Sequence, residues 1–250
     1  MDRFKGWVLT ALLGAMWTLP AHSAERLKLG TEGGHPPFSS IDASGQVVGF
    51  DVDIGQALCA KMKVECEVVT NTWDELIPAL NQGQSDFVIS SLSITDERKK
   101  LVDFTDPYYS NRLQFVASPN SDVTSDTGTL MGKTVGAQAG TLAAKWLQEH
   151  ASEVASVREF ETQEALFAAL TAGQIDAVLG DKYSSYEWLR TPDGKTYEFK
   201  GEAILETDKV GIAVRLNDNL RTRLNLALKD IIADGTYKKL NDKYFPFSIR

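Results

Sequence analysis

The run Ser90-Ser91-Leu92-Ser93-Ile94-Thr95-Asp96-Glu97-Arg98 gathers hydroxyl groups at a strand end, then an expected helix start with one arginine a turn into it. Hydroxyls and the N–H groups of a helix start donate to a carboxylate, and a guanidinium clamps it with two parallel hydrogen bonds. The same residues would also build a hydroxyl-rich turn carrying a solvated arginine. A second candidate, Asp181, closes an apolar run and could either hold an ammonium group or cap the helix expected from Lys182. An anion clamp and a separate acid, brought face to face, describe a receptor for a zwitterion. An α-amino acid is such a molecule.

The elements that must position these residues are legible from periodicity. Short apolar runs alternate with helical patterns, the grammar of an α/β fold. Leu27 to Gly30 reads as a strand. A helix is predicted from Asp51 to Met62, with Ile54, Leu58 and Met62 on one face and Asp51 and Asp53 where the helix dipole favours negative charge. A second helix, Trp73 to Gln82, closes at Gly83, and Asp86 to Ser90 follows as a buried strand.

The chain then repeats itself. Leu76, Ala79, Leu80, Gly83, Gln84, Asp86 and Val88 recur ninety residues later as Leu166, Ala169, Leu170, Gly173, Gln174, Asp176 and Val178. This predicts two similar α/β lobes. Ser91 and Asp181 each follow the repeated aspartate by five residues, so both fall just past the carboxyl end of a strand, where open α/β sheets bind ligands. If the lobes face one another, the clamp and the acid share a cleft. Arg112 to Ala117 reads as an extended crossing into the second lobe, which a loop over 118–128 follows and a strand over 133–137 continues, with a helix from Thr141. Lys209 to Val214 reads as the return. Two crossings make a hinge. Helices from Asp218 to Ala233 and from Asp234 onward complete the first lobe. The expected division is residues 1–23 apart, 24–110 with 212–250 as lobe 1, and 111–211 as lobe 2.

Residues 1–23 read as a secretory signal peptide. Arg3 and Lys5 precede an apolar run from Trp7 to Leu19 that is too short to span a bilayer, and small residues at Ala21 and Ser23 suit cleavage after Ser23 or Ala24. The formal charge is −8; the leader takes away Arg3, Lys5 and Asp2, a net +1, and leaves −9. So acidic a surface repels nucleic acid and anionic membranes and mildly favours a cationic ligand. Cys59 and Cys66, the only cysteines, are expected to form a small disulfide loop in an oxidising compartment. His22, His35 and His150 are too scattered for a metal site, and no metal or cofactor is expected.

Gly30-Thr31-Glu32, Pro37-Phe38, Gly49-Phe50-Asp51-Val52-Asp53, the serine-to-arginine run, Phe104-Thr105-Asp106-Pro107-Tyr108 and Asp234-Gly235-Thr236-Tyr237, in that order, resemble the polar amino-acid-binding proteins of ABC importers. Within that family the chain is most similar to the proteins binding lysine, arginine, ornithine and histidine. The resemblance implies a two-lobed periplasmic binding protein of the type II, Venus-flytrap class, a monomer that presents its ligand to an inner-membrane ABC permease. It implies that Arg98, Ser91 and Ser93 take the ligand carboxylate, helped by backbone N–H groups at Thr141 and Leu142, and that Asp181 with Ser90 takes the amino group. Glu32, His35, Trp73 and Gln138 would surround the ligand side chain, Trp73 stacking on it and Glu32 meeting a distal cation. Two positions depart from the family pattern: His35 stands where close relatives carry tyrosine, beside Gly33-Gly34, and Leu142 replaces a polar residue.

Other readings are a binding protein for a neutral or acidic amino acid or an opine, a sensor that docks on a membrane receptor, or an enzyme like the periplasmic cyclohexadienyl dehydratases that share this fold. No nucleophile elbow or metal cluster stands in the sequence, and Gly132-Lys133-Thr134 lacks the upstream glycine of a phosphate-binding loop. The chain is therefore read as a binding protein and not an enzyme.

Overall fold

A computed structural model describes residues 25–250; the expected signal peptide lies outside the described residues. Two five-stranded sheets organise the chain. The first is built from β1 (Arg26–Thr31), β5 (Glu65–Thr70), β6 (Phe87–Val88), β7 (Asp103–Phe104) and β13 (Ala213–Val214), in the spatial order β5-β1-β6-β13-β7. The second takes β8 (Tyr109–Ala117), β9 (Thr134–Gln138), β10 (Ser156–Phe160), β11 (Ala177–Asp181) and β12 (Glu198–Val210), in the order β10-β9-β11-β8-β12. Both sheets have the same plan. Three parallel strands, β5-β1-β6 or β10-β9-β11, are extended on one side by antiparallel strands. A small antiparallel sheet of β2 (Gly34–His35), β3 (Ser39–Ile41) and β4 (Val47–Val48) precedes the first long helix.

Helices cover the sheets. α1 (Phe50–Met62) buries Ile54, Leu58 and Cys59 with Leu29, Phe87 and Ile89 in the largest core, and α6 (Leu220–Ala233) and α7 (Thr236–Tyr244) pack into it through Leu224, Leu228, Ile231 and Tyr237. The second sheet carries α3 (Leu142–His150) on one core, with Phe115, Val135, Leu147 and Leu179, and α4 (Gln163–Thr171) on another, with Leu166, Phe167 and Leu170. The disulfide forms as expected: Cys59 and Cys66 link the end of α1 to β5.

The ninety-residue repeat is a structural repeat. α2 (Leu76–Asn81) and α4 each close on a glycine with positive φ, Gly83 at 74° and Gly173 at 67°, a conformation that a side chain would strain. Behind each glycine the same bonds recur. Gln84 N–H donates to Ala79 and Gln174 N–H to Ala169, both at 2.9 Å. Asp86 and Asp176 then grip the strand beside them in the same way: each donates its N–H to Lys28 or Thr134, and its carboxylate accepts that residue's N–H at 2.8 and 2.7 Å.

Two local expectations are corrected. The strand predicted over 86–90 is regular only at Phe87–Val88, because the chain bends away at Ser90 and Ser91. No α-helix starts near Arg98, which opens a single 3-10 turn, Arg98–Lys100. The helix start facing the cleft is that of α3, across from Arg98.

The chain crosses between the sheets along β8 and β12, which pair antiparallel from Tyr109↔Val210 to Ala117↔Glu198. The C-terminal tail also spans the seam. Ile249 C=O accepts from Ser110 N–H at 3.0 Å, and the Phe247 ring lies 5.8 Å from Tyr183 and 5.7 Å from Tyr186 on α5 (Lys182–Leu189).

Candidate functional site

Between the two sheets lies a small cavity, partly open to solvent. Its walls bring together Arg98, Ser91, Ser93, Trp73 and His35 from the first lobe with Gln138, Thr141, Leu142 and Asp181 from the second. The position of each follows from local structure. Ser91 is forced to φ 50°, the left-handed region, at the bend after β6. Asp51, buried in the first turn of α1, holds it there: the carboxylate accepts from Ser91 N–H at 2.7 Å, Ser91 Oγ–H at 3.2 Å and the Tyr108 hydroxyl at 2.6 Å. Burial pushes the Asp51 carboxyl up to about 6, while those donors and His35 hold it down.

Arg98 donates to Ser93 C=O at 2.9 Å and, across the cleft, to Gly140 C=O at 3.2 Å. Its guanidinium carbon stands 5.3 Å from the centre of the Trp73 ring, within cation–π range. Burial lowers its pKa, partly offset by Asp208, Asp181 and Glu97. Thr141 caps α3 by accepting from Ala144 N–H at 3.3 Å, which leaves the first N–H groups of that helix turned toward the cleft that Leu142 lines.

Asp181 is the residue before α5 but makes no capping bond. Its carboxylate faces His35, with Nε2 to Oδ2 at 3.4 Å, and the same nitrogen lies 2.7 Å from Ser184 Oγ. Burial alone would lower the His35 pKa; the bond and charge of Asp181, with Glu32 and Asp51 behind it, outweigh burial and raise it.

Two expected residues sit outside the cavity wall. Ser90 is buried behind it, accepting Glu32 N–H at 3.0 Å. Glu32 lines a larger outer groove instead, together with Gly33, Gly34, Asp74, Glu75 and Glu161. Trp73 is a wall of both spaces. Glu32 Oε1 accepts from Gln138 Nε2 at 2.8 Å across the lobes, and Oε2 is buried with no hydrogen-bond partner among the described residues.

Sequence reasoning missed three contributors. The sequence marks Asp51 only as a helix-dipole residue, although its spacing from Ile54 and Leu58 already puts it on the buried face. Asp208, on β12, accepts from Ser93 Oγ at 3.1 Å and carried no local signal. Gln163, buried at the start of α4, lines the cavity.

The model of the bacterial extracellular solute-binding proteins, family 3, matches residues 27–247.

The chain belongs to that family.

Among curated proteins it is 40% identical to "ABC transporter arginine-binding protein 1" of Escherichia coli (strain K12), over 97% of this chain and 99% of that one. It is 37% identical to the "Histidine-binding periplasmic protein" of Salmonella typhimurium, over 90% of this chain and 89% of that one. Among solved structures, "An ancestral arginine-binding protein bound to arginine" superposes with a TM-score of 0.84 at 34% identity, covering 90% of this chain and all of that one. These relatives are binding proteins, and no helix among the described residues is long and apolar enough to cross a membrane.

Proposed function

We propose that this chain is the periplasmic binding component of an ABC importer for basic L-amino acids, arginine, lysine, ornithine or histidine. It would act as a monomer, residues 24–110 with 212–250 closing on residues 111–211, and deliver its ligand to an inner-membrane permease. The observation that carries the reading is the confrontation of Arg98 and Asp181 across one cavity, a cation from one lobe and an acid from the other.

The ligand carboxylate would lie on Arg98, Ser93 and the N–H groups at Thr141 and Leu142. Ser91 would shape the wall, since its N–H and hydroxyl are turned to Asp51. The ammonium would meet Asp181. A basic side chain would run past the Trp73 indole toward Glu32, whose unpaired oxygen Oε2 favours a cation, because a buried carboxylate oxygen without a donor is costly. Split anchors of this kind bond fully only when the lobes meet, so the ligand stabilises the closed form over the open one.

The test is titration calorimetry of the mature protein with arginine, lysine, ornithine, histidine, glutamine and glutamate. Binding of one or more basic amino acids, lost in Arg98→Ala and in Asp181→Ala with the melting temperature of the unliganded protein preserved, is the expected result. Binding confined to neutral or acidic amino acids would discard the role of Glu32, and unchanged affinity in both variants would discard the site.

A further inference from the structure

The contact that His35 makes across the seam uses the very acid on which a ligand ammonium is proposed to rest. His35, on β2 of the first lobe, is buried, and its Nε2 lies 2.7 Å from Ser184 Oγ and 3.4 Å from Asp181 Oδ2, both of the second lobe. His35 and Asp181 line the cavity; Ser184, buried in α5, does not. An imidazolium in this place is a cation already on Asp181, because Nε2–H has a carboxylate and a hydroxyl oxygen to donate to. A neutral imidazole with a bare Nε2 is also held, since the Ser184 hydroxyl can turn and donate to it. In that state Nε2 offers Asp181 no proton, and the carboxylate is left to a second cation.

We infer, on the amino-acid reading proposed above, that His35 is the internal counter-cation of Asp181 and that the ligand ammonium takes its place, the imidazole passing one proton to solvent as the amino acid is captured. The charges around the imidazole act in this direction. Burial disfavours its cation, and Asp181 ahead of α5, Glu32 after β1 and Asp51 in α1 outweigh burial. The Phe38 ring stacked on it at 5.7 Å is uncharged, and the positive end of α5 opposes the cation. A basic amino acid brings one carboxylate and two cations. The carboxylate would be met by Arg98, whereas the ammonium on Asp181 and the distal cation on Glu32 would each neutralise an acid that supports the imidazolium. Both changes drive the proton off. Asp51 and Asp208, at about 6, also titrate at this seam. An ammonium on Asp181 favours their ionised forms and adds proton release of the same sign, so the share of His35 must be read at His35 itself.

The experiment is an NMR titration, from pH 5 to pH 8.5, of the mature protein carrying carbon-13 at histidine Cε1. It is run alone and saturated with unlabelled L-arginine, or with L-lysine, L-ornithine or L-histidine where arginine gives no heat in a calorimeter. Of the three histidines, His22 leaves with the expected signal peptide, and His150, exposed and bonded to Trp146 C=O, is assigned by His150→Gln. The ligand is expected to move the His35 titration to lower pH by about one unit or more and to leave His150 in place. From pH 8 to pH 5.5, binding should weaken about thirtyfold in wild type and about threefold in His35→Gln, the tenfold difference being one proton across one pH unit. A His35 titration that the ligand leaves in place or raises would overturn the inference, as would the same pH dependence in both proteins. If His35→Gln does not fold, the titration of the wild-type imidazole decides. Heat of binding without a shift of His35 overturns this inference alone; no heat with any of the four amino acids overturns the ligand reading, and this inference with it.

Discussion

The two halves of the molecule share a scaffold and differ at its tip. α2-Gly83-β6 and α4-Gly173-β11 make the same turn with the same bonds, down to the grip of Asp86 on Lys28 and of Asp176 on Thr134. Five residues past each aspartate the likeness ends. One half delivers Ser91, bent to positive φ and pinned by a buried acid, on the way to Arg98; the other delivers an acid, Asp181, at the mouth of a helix. The scaffold fixes where a residue stands, and the single residue placed there fixes the charge it offers. A pair of like lobes can thereby present unlike charges to the two ends of one molecule.

Substitutions at the tips break that complementarity and carry the largest expected effects. Arg98→Ala and Asp181→Ala should each weaken binding of a basic amino acid by at least about a hundredfold, the usual cost of deleting one partner of a desolvated charge pair, as read by calorimetry. Asp51→Ala attacks the support of one tip alone. It strands the Ser91 N–H and the Tyr108 hydroxyl, and should lower unfolding stability by about 3 kcal/mol in urea titrations.

The two raised acids sharpen the contrast by pH. The carboxyls of Asp51 and Asp208 both stand at about 6 in the folded protein, above the unfolded value near 3.8. The folded state therefore binds more protons than the unfolded one between those values, and their contribution to stability is present below about pH 4 and lost as pH rises through 6. Asp208→Asn should remove part of that slope and be more stable than wild type at pH 8 by about 2 kcal/mol, the order of such a shift, in melts run from pH 4 to 8.

Scaffold substitutions test the likeness itself. Gly83→Ala and Gly173→Ala meet no atom within 4 Å of the added carbon, so only backbone strain opposes them. Each should cost about 1 kcal/mol, and the two costs should agree. The smallest effect belongs to the rim. Glu97 and Lys145 form an exposed bridge between the lobes at 2.7 Å, and the Lys145 ammonium holds Glu97 down to about 2. Glu97→Gln should weaken ligand binding no more than about threefold, and less at high salt.

Legibility in the sequence followed the same division. The repeated helix-glycine-strand unit, the helices on both sheets and the disulfide rest on local periodicity and spacing, which the chain displays openly. Arg98, Asp181 and Trp73 were legible because each stands at a fixed step from such a unit or within a family motif. Asp208 was not, since it meets Ser93 only through the pairing of β12 across the seam, 115 residues away. Nor could spacing show that Glu32 faces an outer groove, or that the hydroxyl of Ser91 turns back to Asp51; both depend on side-chain direction after the lobes meet.

The C-terminal tail gives the molecule an external gauge. Phe247 rests on Tyr183 and Tyr186 while its own backbone is held by Asn241 of α7, so it touches one half and is anchored in the other. If the lobes close on a ligand as proposed, a dye attached at the adjacent, exposed Ser248 would sit on the seam outside the cavity, and its emission would report occupancy.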